Sequence, residues 1–234
     1  MKSVAAFFNL VRWPNLLFII ITQFLFYNCV YLPLVSNMPG NDTKFLFYLL
    51  VISSVLIAAA CYIINDYFDL QIDIINKPRK IIIDKFIKRR WAIIWHLLLS
   101  GLGILLSFYI SYKTRMWLIT VINTCCVMLL WFYSVTFKKK LLVGNIIIAA
   151  LTAWVILAVH FFTTAHLFSF SGNEYLNVRR YFKFTLLYAG FAFIMTVIRE
   201  VIKDMEDTDG DRKYGCNTMP IAGGIPAAKI FTAI

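Results

Sequence analysis

Acidic residues are scarce in this chain, and they are crowded. Of twelve aspartates and glutamates in 234 residues, nine fall in two short segments. Asp66, Asp69 and Asp73 make up the first; Glu200, Asp204, Glu206, Asp207, Asp209 and Asp211 make up the second. Asp66, Asp69 and Asp73 stand at i, i+3 and i+7, and Asp204, Asp207 and Asp211 repeat that spacing. On a helix of 3.6 residues per turn these offsets put each trio along one face. Like charges stacked this way repel one another unless a cation sits among them. Carboxylate oxygens suit a hard ion such as Mg2+, which is commonly held by one or two carboxylates with substrate phosphates completing its shell. Two facing trios would make a two-metal clamp for a diphosphate. The plainer reading is a solvated acidic helix end at each place, and the repeated spacing argues against it.

Basic residues stand nearby to complement a phosphate. Lys77 and Arg79 come after the first trio within one or two helical turns, and Lys138, Lys139 and Lys140 form a run of their own. Arg199, Lys203, Arg212 and Lys213 bracket the second trio. Arginine grips phosphate oxygens in pairs, and lysine acts as a point charge. Lys85, Lys88, Arg89 and Arg90 read better as a membrane-topology signal.

The elements that must carry these residues are membrane helices. Hydrophobic residues are 61% of the chain and charged residues 15%, with a mean hydropathy of +0.75. Soluble domains carry about 25% charged residues. The apolar residues come in blocks near the roughly 20 residues of a helical bilayer crossing, too continuous for the alternating strands of a barrel. Six spans are predicted at about 16–35, 45–65, 92–111, 116–135, 142–163 and 182–203. A seventh apolar stretch begins near Ile225. Lys and Arg divide sixteen to six between the two sets of linkers. The positive-inside rule then puts the N-terminus and both aspartate motifs in the cytoplasm. The net charge of +11 is distributed as topology signals, which excludes a nucleic-acid partner. Cys29, Cys61, Cys125, Cys126 and Cys216 lack metal-ligand spacing and read as small core residues. Lys2 and the short apolar start suggest a signal peptide only faintly, because Arg12 and Pro14 interrupt it.

These motifs resemble the UbiA superfamily of intramembrane prenyltransferases. The run from Asn65 to Asp73, NDYFDLQID, resembles its NDxxDxxxD first motif, and Asn76, Lys77, Pro78 and Arg79 resemble the family's residues just beyond that motif. The run from Arg199 to Asp211, REVIKDMEDTDGD, resembles the second aspartate motif, and Gly215 to Pro220 resembles its continuation. Tyr133, Ser134, Lys138, Lys139, Gly144 and Asn145 resemble the cytoplasmic end of the fourth helix; Arg12, Trp13, Pro14 and Asn15 resemble the start of the first. The resemblance covers essentially the whole chain. It implies an all-α, polytopic transmembrane bundle of nine helices. This chain departs from that pattern by ending where a seventh helix would start, so we expect a single domain over residues 1–234 with its C-terminal helices missing. Residues 80–84 match the usual loop only loosely.

The resemblance also implies Mg2+-dependent transfer of a polyprenyl group from its diphosphate to a lipid or aromatic acceptor, in a bacterial or archaeal plasma membrane. One metal would go to Asp66, Asp69 and Asp73, with Asn65 orienting them, and the other to Asp204, Asp207 and Asp211. Lys77, Arg79, Lys138 and Lys203 would contact diphosphate, with Asn15 approaching from the first helix. Tyr133 would shield the allylic cation with its ring face, whereas most other aromatics would pack against lipid. His96, His160 and His166 lie away from the acidic ends and are read as non-catalytic. The form KDxEDxxGDxxxGxxTxP, from Lys203 to Pro220, looks most like members that prenylate glycerol-phosphate lipids, with quinone-precursor acceptors the alternative. A CDP-alcohol phosphatidyltransferase and an ion-coupled transporter are less well matched. The former's motif is only fragmentary here, and transporter acids usually lie mid-span.

Overall fold

The structure, a computed structural model, describes residues 2–34, 39–78, 81–167 and 175–233. Helix α1 (Lys2–Leu10) ends at a sharp corner where the Arg12 backbone turns left-handed, with φ of 53°. Pro14 lies in the first turn of α2 (Trp13–Leu25), where its missing N–H costs no helical bond. A π-turn (Phe26–Tyr31) and a 3-10 turn (Leu32–Leu34) prolong α2. The further elements are α3 (Asn41–Asn76), α4 (Arg89–Thr114), α5 (Trp117–Val135), α6 (Val143–Leu167) and α7 (Tyr175–Glu206). After them come the short α8 (Thr208–Lys213), α9 (Met219–Ala222) and α10 (Gly224–Ala233). No sheet occurs among the described residues.

Six segments are long and apolar enough to cross a membrane, and each overlaps one predicted span: 13–34, 41–76, 89–114, 117–135, 143–165 and 177–206. Phe18, Leu105, Leu187 and Phe191 are exposed on them, an outer surface suited to lipid rather than water. The predicted seventh stretch is α10, which packs against α7 and α9.

Two helices overshoot the bilayer, and that overshoot places the acidic residues. Helix α3 has 36 residues, about 54 Å at the helical rise, against roughly 30 Å of hydrocarbon. Hydropathy ends the second span near residue 65, but the backbone bonds continue to Asn76 and carry the first trio on one unbroken helix. Helix α7 has 32 residues and ends at Glu206.

Polar contacts hold the bundle in register. Ser53 Oγ on α3 donates to Gly103 O on α4 at 2.8 Å and lies 2.8 Å from Ser107 Oγ. Asn123 on α5 donates to Ser107 Oγ at 2.7 Å, and Trp154 Nε1 on α6 donates to Asn123 Oδ1 at 2.7 Å. A Cβ on Gly103 would come within 2.7 Å of Ile57 Cγ1, so its hydrogen allows the α3–α4 approach. Such small and amide side chains are what helices use to associate where no hydrophobic effect sorts them. One apolar core gathers Phe26, Tyr31, Phe47, Phe162 and Tyr181. A second joins Leu10 and Val11 to Ile63, Leu70, Ile83 and Ala92.

Candidate active site

Both aspartate trios line one cavity of about 600 Å³. Asp66, Asp69 and Asp73 reach it from the C-terminal turns of α3. Asp204 reaches it from the end of α7, Asp207 from the break after it and Asp211 from α8. The second trio is therefore not on one straight helical face, as the spacing alone predicts. The chain breaks at Asp207 and resumes as α8, where Asp211 N–H donates to Asp207 O at 3.1 Å. Glu206 and Asp209, out of phase with the trio, are both exposed.

Asn76 accounts for the break. Its Nδ2 donates to Asp207 O at 2.9 Å, and its Oδ1 accepts the Gly210 N–H at 2.7 Å. A Cβ at Gly210 would lie 2.5 Å from that Oδ1, so only glycine lets α8 approach the end of α3 this closely.

The carboxylates are matched by cations and amides. Lys77 Nζ, just past α3, lies 2.7 Å from Asp207 Oδ2 and 2.6 Å from Oδ1. Arg12 Nη2 contacts Asp66 Oδ1 at 2.6 Å. Lys138 forms an ion pair with Asp69, whose other oxygen accepts from Asn65 Nδ2 at 2.8 Å. Asn145 Nδ2 on α6 donates to Asp204 Oδ2 at 2.9 Å. Asp73 and Asp211 have no such side-chain partner among the described residues. Burial, and then the charge of Asp207, push the Asp211 carboxyl up to about 6, so a cation beside it would relieve an unfavourable charge. Burial works against the Arg12 charge, but the Asp66 carboxylate outweighs it and the guanidinium is held more firmly protonated than usual.

Lys138 is positioned by a close crossing. It sits in a 3-10 turn (Phe137–Lys139) between α5 and α6. Gly144 passes so near that a Cβ would lie 3.0 Å from Lys138 Cα and 3.1 Å from Tyr133 Cε2. Asn217 N–H bonds Lys139 O at 2.8 Å, fastening the segment after α8 to the same turn.

Of the residues singled out from sequence, Asn65, Tyr133, Lys77, Lys138 and Lys203 line the cavity with the six aspartates. Asn15 is not among the lining residues and bonds Tyr62 instead, whose ring lies under Arg12 at 5.1 Å. Arg79 lies outside the described residues. Arg212 and Lys213 are exposed, and Arg199 pairs with the buried Glu200 at 2.7 Å. His96 and His160 are taken up by Ala60 O and Thr185 and do not line the cavity; the His166 side chain lies outside what the structure describes.

Sequence reasoning gave no site role to Arg12, Asn76 or Asn145, although each belongs to a recognisable motif. It also read all five cysteines as core, whereas Cys29 and Cys125 are exposed and Cys216 lines the cavity. Burial, and then the charge of Asp211, raises the Cys216 thiol above its ordinary range.

Comparison with known proteins decides the family. The profile of the UbiA prenyltransferase family matches residues 26–234. The chain belongs to the UbiA prenyltransferase family. Digeranylgeranylglyceryl phosphate synthase of Methanothermobacter thermautotrophicus is 34% identical over 192 residues, covering 81% of this chain and 61% of that protein. The protein of the same name from Sulfurisphaera tokodaii is 32% identical over 223 residues, covering 95% and 71%. This chain thus spans about three-fifths of the first relative's length. A solved structure from work on digeranylgeranylglyceryl phosphate synthase in membranes shares the fold. Its TM-score is 0.64 at 24% identity, over 99% of this chain and 74% of that one. Family and apolar spans together make this UbiA member an integral membrane protein.

The donor set fits a hard divalent ion. Every trio member is a carboxylate, Asp73 and Asp211 are unpaired among the described residues, and the buried Asn65 Oδ1 lacks a hydrogen-bond donor. Among the described residues, no three of these side chains are grouped closely enough to hold a metal ion by themselves.

Proposed function

We propose that this UbiA member moves a geranylgeranyl group from its diphosphate to a glycerol-phosphate lipid bearing one such chain, forming an ether. The observation that carries the reading is the convergence of both aspartate trios and four cations, Arg12, Lys77, Lys138 and Lys203, on one cavity. Mg2+, held by Asp66, Asp69 and Asp73 on one wall and Asp204, Asp207 and Asp211 on the other, would neutralise negative charge on the departing pyrophosphate.

The chain's own residues supply the rest. As the allylic C–O bond breaks, its electron pair leaves with pyrophosphate. Lys77 and Lys138 stand where that charge develops, and preorganised donors are worth most where water is scarce. Each is paired with a carboxylate before substrate arrives, so neither is buried as an uncompensated charge. Tyr133, which lines the same cavity, offers a ring face to the allylic cation. The acceptor hydroxyl closes the ether and releases its proton. Both motifs face the cytoplasm in this reading, by the distribution of Lys and Arg.

The relatives' names favour a glycerol-phosphate acceptor over an aromatic one. Acids at helix ends beside lysines disfavour a transporter, whose ion-binding acids usually sit mid-span. To test the assignment, labelled geranylgeranyl diphosphate is incubated with membranes carrying the protein and either acceptor class. A labelled diether phosphate that requires Mg2+ supports it. Prenylation of only the aromatic acceptor would refute it.

A further inference from the structure

A glycerol-phosphate acceptor carries its own phosphate on the same three-carbon unit as the hydroxyl that reacts. It therefore needs a second anion site, close to the allylic carbon but apart from the carboxylate trios. Lys77 and Lys138 are committed to Asp207 and Asp69 and, in the proposed function, to the diphosphate. Two arginines are placed differently. Tyr62 on α3 comes four residues before Asp66, and Arg199 on α7 five before Asp204. At a rise of roughly 1.5 Å per residue, each stands about one helical turn further into its span than the nearest aspartate. The Arg12 guanidinium lies 5.1 Å over the Tyr62 ring, and the charge of Arg199 reaches the same tyrosine. Asn15 bonds Tyr62 and steadies the ring between them. Arg12 meets Asp66 through Nη2 at 2.6 Å, and Arg199 meets the buried Glu200 through Nη2 at 2.7 Å. Among the described residues, no other side-chain hydrogen bond uses the N–H groups of either guanidinium. The Arg199 side chain is 65% exposed and that of Arg12 36%, so each keeps an open edge toward a ligand.

We propose that Arg12 and Arg199, on either side of Tyr62, hold the phosphate of the acceptor lipid and so select a phosphorylated acceptor. The inference rests on the function proposed above and adds which end of the acceptor is recognised. A guanidinium grips phosphate oxygens through paired N–H···O bonds, which fix orientation as well as supply charge. Asp66 and Glu200 hold one edge of each guanidinium and leave the other for the ligand. With its phosphate held about one turn from the trios, the acceptor presents its hydroxyl beside the leaving group. Its negative charge is kept off the departing pyrophosphate at the same time.

The test gives the full chain in liposomes labelled geranylgeranyl diphosphate and one of two acceptors: the glycerol-phosphate lipid, or the same lipid with its phosphate removed. The readout is the ratio of kcat/KM for the two acceptors. Wild type is expected to prefer the phosphorylated lipid, and Arg199→Gln to cut that preference about tenfold or more. The loss should appear in KM for the phosphorylated acceptor and not in KM for geranylgeranyl diphosphate. Arg199→Lys should recover part of the preference, since it keeps the charge without the paired geometry, and Arg12→Lys should lower it. No preference in wild type, an unchanged preference in Arg199→Gln, or an equal rise in KM for the diphosphate would overturn the proposal. If Arg199 only anchors α7 among bulk headgroups, both acceptors lose equally and the ratio stays fixed, which also overturns it. Should Arg199→Gln not fold, Arg199→Lys and Arg12→Lys decide by the same ratio. Failure of the wild-type protein to form ether from either acceptor would instead sink the function on which the inference rests.

Discussion

Asn76 and Gly210 lie 134 residues apart and lock the two aspartate motifs together, the Gly210 N–H donating to Asn76 Oδ1 at 2.7 Å. The same amide holds Asp207 O at 2.9 Å. One side chain thereby fixes where the second trio breaks and how near α8 comes to α3.

This contact predicts a non-additive pair of substitutions. Asn76→Ala leaves the Gly210 N–H without its acceptor, at about 1–3 kcal/mol if it stays dry, while Asp207 O keeps the Asp211 N–H. Gly210→Ala drives a methyl into the Asn76 amide, a clash of roughly 1–3 kcal/mol. Shortening Asn76 removes the obstacle, so the double variant should be more stable than the sum of the singles implies by about 1 kcal/mol or more. Thermal unfolding in detergent measures it, and strict additivity would contradict the contact.

Lys77 faces Asp207, and in the proposed function it also meets the diphosphate. Lys77→Ala should lower kcat/KM for the prenyl diphosphate about a hundredfold, with Lys77→Arg recovering part of the loss. Lys88→Ala and Arg90→Ala, exposed residues read as topology signals, should stay within about twofold when the protein inserts correctly. Steady-state kinetics on the four variants separates a site charge from a general basic surface.

Glycine substitutions distinguish close approach from mere helix content. Gly144→Ala would press on Lys138 Cα, Tyr133 and Phe137 O, none of them a flexible chain end. A stability loss of about 1–3 kcal/mol is expected, with a fall in transfer as Lys138 is displaced. Gly101→Ala and Gly190→Ala meet nothing within 4 Å and should be neutral or stabilising by up to about 1 kcal/mol through helix propensity. Unfolding and transfer assays on all three variants check the contrast.

Much of the fold is written locally and is legible for that reason. Apolar blocks near membrane length mark the spans, since lipid leaves the backbone no partner but itself. The i, i+3, i+7 spacing of Asp66, Asp69 and Asp73 survives as one face because α3 stays helical through them. The same spacing at Asp204, Asp207 and Asp211 misleads about shape, because the helix is broken by a side chain 131 residues away. Nothing near Gly210 announces that contact. Arg12 is similar: its charge is a topology signal by position, and only the left-handed corner at φ 53° turns it onto Asp66. The end of α3 is hidden for a different reason, since hydropathy reports where lipid stops and not where helical bonding stops.

The central claim is that both trios grip a single Mg2+–diphosphate unit. Calorimetric titration of the protein with a non-hydrolysable geranylgeranyl diphosphate analogue, with and without Mg2+, tests it most directly when Asp69→Asn and Asp207→Asn are compared with wild type. The account predicts Mg2+-dependent binding by wild type and a loss of about a hundredfold or more in each variant alone. Wild-type affinity in either variant, or binding indifferent to Mg2+, would contradict it.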